Sequence, residues 1–155
     1  MQPKLTHLES NYIIKAPRSE IYKIMTDFEN VPKYFPSVAK FAKYISRDGN
    51  NFVVEAQTKA FLGSKTFTVR MEGQLQPLTG FISTNTSSIG IEYEVFSMEE
   101  IPGGTKIHYV NDIEIKSPFF RRFSFLIKYV ALWYWERAVF SKLKKILESK
   151  SVSVS

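Results

Sequence analysis

The sequence predicts an α+β fold in which a curved antiparallel sheet of about seven strands wraps around one long C-terminal helix. Three observations predict it: a first segment with strand alternation, a central region of alternating residues broken by turn signals, and a final apolar segment long enough to cross a whole sheet. The chain has 155 residues, the usual size of one domain. We therefore expect a single domain over residues 1–150 and a disordered tail over residues 151–155.

The composition excludes several classes of protein. Apolar residues make up 44% of the chain and charged residues 23%, which excludes a disordered or low-complexity polymer. The absence of cysteine excludes disulfide frameworks, thiolate metal sites and cysteine nucleophiles, and it fits a reducing compartment. No stretch reaches the roughly 20 apolar residues of a membrane-spanning helix, and the first residues lack the apolar core of a secretory signal. We therefore expect a cytoplasmic protein.

The first part of the chain predicts one strand followed by two short helices. From about His7 to Ala16, alternate residues share one largely apolar face. Pro17 can open the first helix, because proline fits the first helical turn. The second helix fits Asn30 as its N-cap and Pro36 as its end. The buried stripes consist of Leu8, Ser10, Tyr12 and Ile14 in the strand, Ile21, Ile24, Met25 and Phe28 in the first helix, and Val31, Tyr34 and Phe35 in the second.

From Val38 to Ile115 the sequence predicts an antiparallel meander of about six strands. Turn signals at residues 48–51, 62–64, 77–80 and 102–104 separate the strands. Alternation gives the sheet an apolar face that needs a cover and a polar face that meets solvent. The predicted apolar face carries Phe67, Val69, Met71, Leu75, Ile91, Tyr93, Val95, Ile107, Tyr109, Ile113 and Ile115, and the predicted polar face carries Thr66, Thr68, Arg70, Glu72, Glu92, Glu94, His108, Asp112 and Glu114.

The final segment predicts the cover of this sheet. A helix can begin with Ser117 as N-cap and Pro118 at its first position and continue to about Ser149. Residues 123–135 are nearly all apolar, so we expect this half to be buried on more than one side, whereas the remainder is amphipathic. The apolar stripe moves around the axis between the two halves. Either the helix bends near residues 133–137, or its first half contacts two apolar surfaces.

One run of residues carries a family resemblance. Ala16-Pro17 precedes the run IYKIMTDFENVPKYFP from Ile21 to Pro36, with supporting likeness in Asp48-Gly49 and in the GGTKI segment from Gly103. These residues resemble the START/SRPBCC (Bet v 1-like) superfamily, in its polyketide cyclase/dehydrase and coenzyme Q-binding branch, over about residues 6–149; Tyr34 stands where tryptophan is common. The resemblance implies the helix-grip fold, with an elongated cavity between sheet and helix for lipids, sterols, polyketides, isoprenoid quinones or hormones.

The predicted interior combines apolar and polar side chains, as ligand pockets do. Thr58, Ser83, Asn85 and Asn111 are its informative members, because burying an unpaired amide or hydroxyl is unfavourable. They either line a cavity, which the resemblance supports, or are satisfied groups of a filled core. The other residues predicted to line this space are Val54, Phe67, Val69, Met71, Phe81, Ile91, Tyr93, Tyr109, Ile113, Phe123, Ile127, Val130 and Tyr134.

The sequence gives little support for a catalytic or metal site. His7 and His108 are the two histidines, and we predict both to be ordinary surface residues. Two distant histidines without HExxH spacing do not predict a metal site, and no cofactor is expected. The acidic residues fall on the polar face and are expected to pair with basic residues such as Arg70. Some members of the superfamily steer enolate chemistry with polar pocket residues, and the residues available here to orient a carbonyl are Tyr93, Tyr109, Asn85 and Asn111.

The net charge of +6 favours anionic partners. The ordinary interpretation of the basic final helix is a solvated surface, and the functional interpretation is contact with an anionic membrane, with Phe119 and Phe120 in the interface. Nucleic-acid binding is not favoured, because no RNP, KH or helix-turn-helix signature is present. The basic residues of the helix are Arg121, Arg122, Lys128, Arg137, Lys142, Lys144, Lys145 and Lys150, against Glu136 and Glu148.

The leading functional prediction is a non-catalytic carrier of a hydrophobic small molecule, such as a lipid, an isoprenoid quinone or a polyketide-like compound. One alternative is an enzyme of the polyketide cyclase or dehydratase type. The other is a ribosome- or protein-interaction module, since a ribosome-associated toxin belongs to the same branch. The sequence does not predict the oligomeric state.

Overall fold

A computed structural model describes residues 4–59 and 65–152 of the chain. Its strands and helices follow the predicted order. A 3-10 turn separates the two short helices that precede the meander, and a π-helical turn interrupts the long helix that follows it. The elements are β1 (Leu5–Ile14), α1 (Arg18–Met25), a 3-10 turn (Phe28–Asn30), α2 (Val31–Tyr34), β2 (Ala39–Asp48), β3 (Asn51–Lys59), β4 (Thr66–Gln76), β5 (Gly80–Thr86), β6 (Gly90–Ile101), β7 (Gly104–Ile115), α3 (Pro118–Arg122), α4 (Ser124–Trp135), a π-helical turn (Glu136–Phe140) and α5 (Ser141–Val152).

The seven strands form one curved antiparallel sheet, as predicted, in the order β1-β7-β6-β5-β4-β3-β2. Strands β2 to β7 form a meander. Strand β1 pairs with β7 and forms the edge of the sheet opposite β2. The predicted turns at 48–51, 77–80 and 102–104 all connect strands. The turn predicted at 62–64 lies outside the described residues. At the start of β5, Gly80 has φ of 140°, and a Cβ there would collide with the carbonyl of Phe96 on β6, so glycine permits this close pairing.

The short helices cover one end of the inner sheet face. All four residues of the predicted stripe, Ile21, Ile24, Met25 and Phe28, are buried. The ring of Phe28 packs against the rings of Phe52 and Phe81, with centroid distances of 4.8 and 5.5 Å. Aromatic packing of this kind closes the core at the end of the sheet that lies under the 3-10 turn.

The predicted orientation of β6 is wrong. Tyr93 is 42% exposed and Ile91 and Val95 lie on the same outer face, whereas Phe96 is fully buried. Pairing explains the correction, because partners across a sheet share a face and Phe96 is paired with Phe81 on β5 and Tyr109 on β7. In this orientation of β6, Glu92 and Glu94 point toward the interior, although the sequence predicted both to be solvated.

The terminal helix divides into two halves with different environments. A π-helical turn at residues 136–140 separates α4 from α5, and its Ala138, Val139 and Phe140 are buried. An extra residue in one turn rotates the following helix relative to the preceding one, which accounts for the moving apolar stripe. The α5 half packs onto the core through Leu143 and Leu147. The helix continues to Val152, two residues beyond the predicted end of the domain.

The first half of this helix is not buried on two sides, contrary to the prediction. No residue of α4 is fully buried, and two residues predicted to face the interior are exposed, Phe123 at 41% and Val130 at 38%. Its inner side, with Ile127 and Tyr134, is half-buried, and the Tyr134 hydroxyl donates to the Ser37 carbonyl. Among the described residues, no helix is long and apolar enough to cross a membrane.

The orientation of β6 can be tested by paired substitutions on its two faces. Phe96→Ala removes a fully buried ring and should lower the free energy of unfolding by about 3–5 kcal/mol, the usual cost of such a cavity. Val95→Ala, its neighbour on the exposed face, should cost less than about 1 kcal/mol. Urea denaturation measures both. A larger loss for Val95→Ala than for Phe96→Ala would show that the strand has the opposite phase.

Candidate functional site

Polar side chains gather on the inner face of the sheet, where β5, β6 and β7 lie side by side. Strand pairing aligns Ser83, Glu94 and Asn111 in one row across the three strands, and Asn85 is paired with Glu92 in the next row. Tyr109 reaches the same place from β7. We call this set the inner polar cluster; its members are Ser83, Asn85, Glu92, Glu94, Tyr109 and Asn111.

Hydrogen bonds centre the cluster on the Glu94 carboxylate. The Tyr109 hydroxyl donates to Glu94 Oε2 over 2.6 Å. The Ser83 hydroxyl lies 3.1 Å from Asn85 Oδ1 and 3.5 Å from Glu94 Oε1, and its single hydrogen can serve only one of them. When Glu94 is protonated, it can donate to Ser83 instead. The network therefore accommodates both charge states of Glu94.

Burial makes the Glu94 carboxyl a weak acid. Desolvation raises the pKa of Glu94 to about 7, the hydrogen bond from Tyr109 opposes this rise, and the nearby charge of Glu92 adds to it. Burial also raises the pKa of Glu92, against hydrogen bonds from Asn85 and Asn111. Burial and the adjacent Glu94 raise the pKa of Tyr109 well above its usual value. Near neutral pH, Glu94 is thus divided between the acid and the carboxylate, and Tyr109 keeps its proton.

Two buried polar atoms beside the cluster have no hydrogen-bond partner in the described part of the chain. One is the acceptor Asn111 Oδ1 and the other is the donor Trp135 Nε1. The Trp135 ring stacks on Tyr109 with a centroid distance of 5.2 Å, which brings α4 to the cluster. Buried polar groups in folded proteins are nearly always paired. The described interior therefore contains one acceptor and one donor whose hydrogen-bonding capacity is unused.

The apolar surroundings of the cluster differ at the two ends of the inner face. At the end closed by α1, Phe52, Phe81 and Phe96 are buried. At the other end, the inner residues of β3, β4 and β7 retain accessible surface, and we call them the open lining. Its members are Thr58, Phe67, Val69, Met71 and Ile113. Two depressions, of about 570 and 480 Å³, lie along the terminal helices around Lys145 and do not include any residue of this lining.

The structure brings most of the predicted interior residues to one face. Eleven of them lie on the inner side of the sheet, and their role in ligand binding stays a prediction. Ile91 and Tyr93 lie on the opposite side because of the phase of β6, and Phe123 and Val130 are exposed on the terminal helix. The residues on the inner face are Val54, Thr58, Phe67, Val69, Met71, Phe81, Ser83, Asn85, Tyr109, Asn111 and Ile113.

Sequence reasoning missed Glu92, Glu94 and Trp135. For the two glutamates the signal lies further along β6. Phe96 and Met98 are on the same face as Glu92 and Glu94 by strand alternation, and these two large apolar residues indicate that this face is buried. Both faces of this strand carry apolar and acidic residues, so its own alternation does not choose between them. Trp135 lies in a helical segment that is apolar nearly all round, so the sequence pattern does not indicate which of its residues face the interior.

Both histidines lie on the outer face of the sheet, as predicted. His7 Nδ1 is 2.6 Å from Asp112 Oδ1, and His108 Nε2 is 2.6 Å from Glu9 Oε1. Hydrogen bonds that the His7 ring donates to the carboxylates of Asp112 and then Glu9 raise the pKa of His7. This outer network is remote from the inner polar cluster, because the sheet separates the two faces.

Comparisons with solved structures confirm the fold. The START superfamily protein from Mycobacterium smegmatis matches with a TM-score of 0.75 and 15% identity, over 92% of this chain and 97% of that one. The Zhui aromatase/cyclase from Streptomyces sp. R1128 matches with a TM-score of 0.73 and 13% identity, over 98% and 97%. The di-domain ARO/CYC BexL from the BE-7585A biosynthetic pathway gives a TM-score of 0.77 and 13% identity over 91% of this chain, which spans only 49% of that protein.

Sequence comparison gives the family. No protein of curated function matches the chain by sequence. The model of the family described as polyketide cyclase / dehydrase and lipid transport matches residues 14–124, from the end of β1 to the start of α4. This span includes the short helices and the whole inner polar cluster, and the solved neighbours share the same sheet and terminal helix. The chain therefore belongs to the polyketide cyclase/dehydrase and lipid transport family, and it shares its fold with the solved START superfamily protein.

Proposed function

We propose that this protein binds a hydrophobic small molecule on the inner face of its sheet, beneath α4, with the polar end of the ligand at the inner polar cluster. The observation that carries the proposal is the pair of unpartnered atoms, Asn111 Oδ1 and Trp135 Nε1, beside a buried carboxyl. The open lining supplies the apolar contact. Each Å² of apolar surface removed from water contributes about 25 cal/mol to binding.

The charge of the cluster selects the polar end of the ligand. Glu92 and Glu94 are both enclosed and acidic, and the described members of the cluster include no cation to offset an anionic ligand. A carboxylate or phosphate there would face like charge in a medium of low dielectric constant. A neutral carbonyl can accept hydrogen bonds from Trp135 Nε1 and from protonated Glu94, and a neutral hydroxyl can donate to Asn111 Oδ1. Isoprenoid quinones and polyketide-like ketones fit this description, and free fatty acids do not.

A second candidate function is catalysis of the cyclase or dehydratase type. The observation that favours it is the pKa of Glu94, about 7, since a general acid or base works best near the ambient pH. The Glu94 carboxylate would take a proton from the carbon next to a ketone, and the Trp135 N–H would stabilise the enolate oxygen. In a β-hydroxyketone, the enolate then expels the hydroxyl group, which leaves as water with the proton held by Glu94.

Ligand selectivity tests the binding function. Menadione, a neutral apolar diketone, and 2-naphthoate, an anion of similar size, are suitable probes, and quenching of Trp135 emission reports binding. We expect menadione to bind at least about tenfold more tightly than 2-naphthoate at pH 8, because Glu92 and Glu94 repel the anion. Glu94→Gln should reduce the difference in affinity between menadione and 2-naphthoate. Glu72→Gln, on the outer face, is the matched control and should leave that difference unchanged. Tighter binding of 2-naphthoate than of menadione would contradict the proposal.

The charge state of Glu94 predicts a pH dependence of stability. Its pKa in the folded protein, about 7, lies above the ordinary value of 4.5, so the folded state holds this proton more tightly than the unfolded state. The stabilisation is complete below pH 4.5 and is lost as the pH rises through 7. The wild type should lose about 3 kcal/mol from this group between pH 4.5 and pH 8, and Glu94→Gln should not. Urea denaturation across this range checks it, and the outer-face variant Glu72→Gln should keep the wild-type slope.

Turnover distinguishes the second candidate from the first. With 4-hydroxy-4-phenylbutan-2-one as probe, an enzyme should release water and form a conjugated enone that absorbs in the ultraviolet. Glu94→Gln should then lower kcat at least about 100-fold, the usual contribution of a general acid or base. Binding of the probe without turnover by the wild type would leave the carrier function and exclude this catalytic step.

A further inference from the structure

The first half of the terminal helix presents apolar side chains to solvent. Phe125, Tyr129 and Trp133 follow one another at i, i+4 and i+8 on α4, so they form one stripe, and Leu126 lies beside it. Phe119 on the preceding helix α3 is 69% exposed, and Tyr129 is 70% exposed. We call these five residues the aromatic face. Its side chains point away from the inner polar cluster, so the proposed ligand does not cover them.

This arrangement reverses the usual amphipathic helix of a globular protein. Helices on a protein surface ordinarily bury their apolar side and expose their polar side. In α4 the single charged residue, Lys128, is half-buried, whereas the aromatic side chains of Phe125, Tyr129 and Trp133 are exposed. A contiguous exposed apolar patch marks a surface that meets another apolar phase.

Basic residues lie beside the aromatic face, near both ends of α4. Arg122 is exposed at the end of α3, and Arg121 nearby hydrogen-bonds the Ile115 carbonyl. Past the other end, the Arg137 guanidinium lies 4.7 Å from the centre of the Trp133 ring. Residues 116–137 contain five Lys or Arg residues and one acidic residue, Glu136. An apolar face carrying Trp and Tyr and bordered by cations is the composition of helices that lie in the interface of an anionic bilayer.

The same charges argue against a second copy of the chain as the occupant. In a two-fold symmetric dimer each residue of the patch meets the patch of the other copy. The cations beside the aromatic face would then be brought close to their own equivalents, with Glu136 as the one acidic residue of residues 116–137 to pair with them. An anionic lipid surface instead offers opposite charge to the cations and an apolar layer to the aromatic rings.

We infer that the aromatic face is a membrane-docking surface, by which α3 and α4 lie in the headgroup region of an anionic bilayer with Phe125, Tyr129 and Trp133 inserted. The protein remains peripheral, because the apolar face is one side of a helix whose other side packs on the sheet. The inference rests on the helix surface and is independent of the proposed ligand site.

Vesicle flotation tests the inference. We expect the protein to float with phosphatidylcholine vesicles that contain phosphatidylserine, to bind pure phosphatidylcholine vesicles much more weakly, and to be released partly by high salt. Trp133 is exposed in the free protein, so its emission should shift to the blue on binding, and Trp133→Phe should remove most of that shift. Absence of binding to the anionic vesicles would overturn the inference.

Matched variants separate the apolar from the electrostatic contribution. The double variant Phe125→Ser with Tyr129→Ser should weaken binding at least about tenfold, because it removes two inserted rings. Arg122→Gln and Arg137→Gln should each weaken binding to anionic vesicles about fivefold and leave the weak binding to neutral vesicles unchanged. Because these side chains are exposed, thermal unfolding should be little changed.

An aromatic residue elsewhere on the surface provides the control. Phe41 on β2 is 47% exposed and has the Lys43 ammonium 5.9 Å from its ring centre, so it combines an exposed ring with a cation. Phe41→Ser should leave vesicle binding unchanged, and an equal loss in this variant would show nonspecific adsorption and overturn the inference. Sedimentation of the wild type as a dimer that Phe125→Ser with Tyr129→Ser converts to monomer would assign the aromatic face to a second copy instead, and would likewise overturn it.

Discussion

The interior depends on the position of β6 between β5 and β7. Partners across a sheet share a face, so the pairing of Phe96 with Phe81 and Tyr109 sets the direction of every side chain on the strand. Burying Phe96 and Met98 is favourable by about 1.5–3 kcal/mol each, and the same phase brings Glu92 and Glu94 inside. Protonation limits the cost of that burial, since a neutral carboxyl is far easier to bury than a charged one. The packing of Phe96 and Met98 at one end of β6 therefore places Glu92 and Glu94 in the interior at the other end, where burial raises their pKa.

The chemistry of the site follows from this enclosure. Desolvation raises the pKa of Glu94 to about 7 and keeps Tyr109 protonated, so the cluster near neutral pH contains hydrogen-bond donors as well as acceptors. Among the described residues, Trp135 Nε1, whose ring stacks on Tyr109, and Asn111 Oδ1 add a donor and an acceptor without a partner. A carrier uses such groups to orient a ligand, and an enzyme uses them to move a proton. The family includes cyclases and lipid transporters in its description, and this site is compatible with both chemistries.

The two halves of the terminal helix lie in different surroundings because a π-helical turn divides it. Beyond the turn, Leu143 and Leu147 of α5 complete the core with α1 and β1. Before it, α4 offers Trp135 to the inner polar cluster and the aromatic face to solvent. A continuous α-helix would have kept one face directed at the sheet, whereas the extra residue in the turn changes the direction of the apolar stripe. The division gives α5 a structural role in the core and leaves α4 available for the proposed contacts with ligand and membrane.

By itself, the sequence determined the order of the elements, the seven strands, the buried stripe of α1 and the orientation of strands such as β4 and β7, because each of these follows from a periodicity within one segment. Tertiary structure decided the phase of β6 and the exposure of α4. Both faces of β6 carry apolar and acidic residues, so its neighbours select between them. Because α4 is apolar nearly all round, the extent of its cover decides which side meets solvent. The buried acid of the site and the aromatic face of the helix arise at these two places, where local pattern is ambiguous and long-range contacts choose.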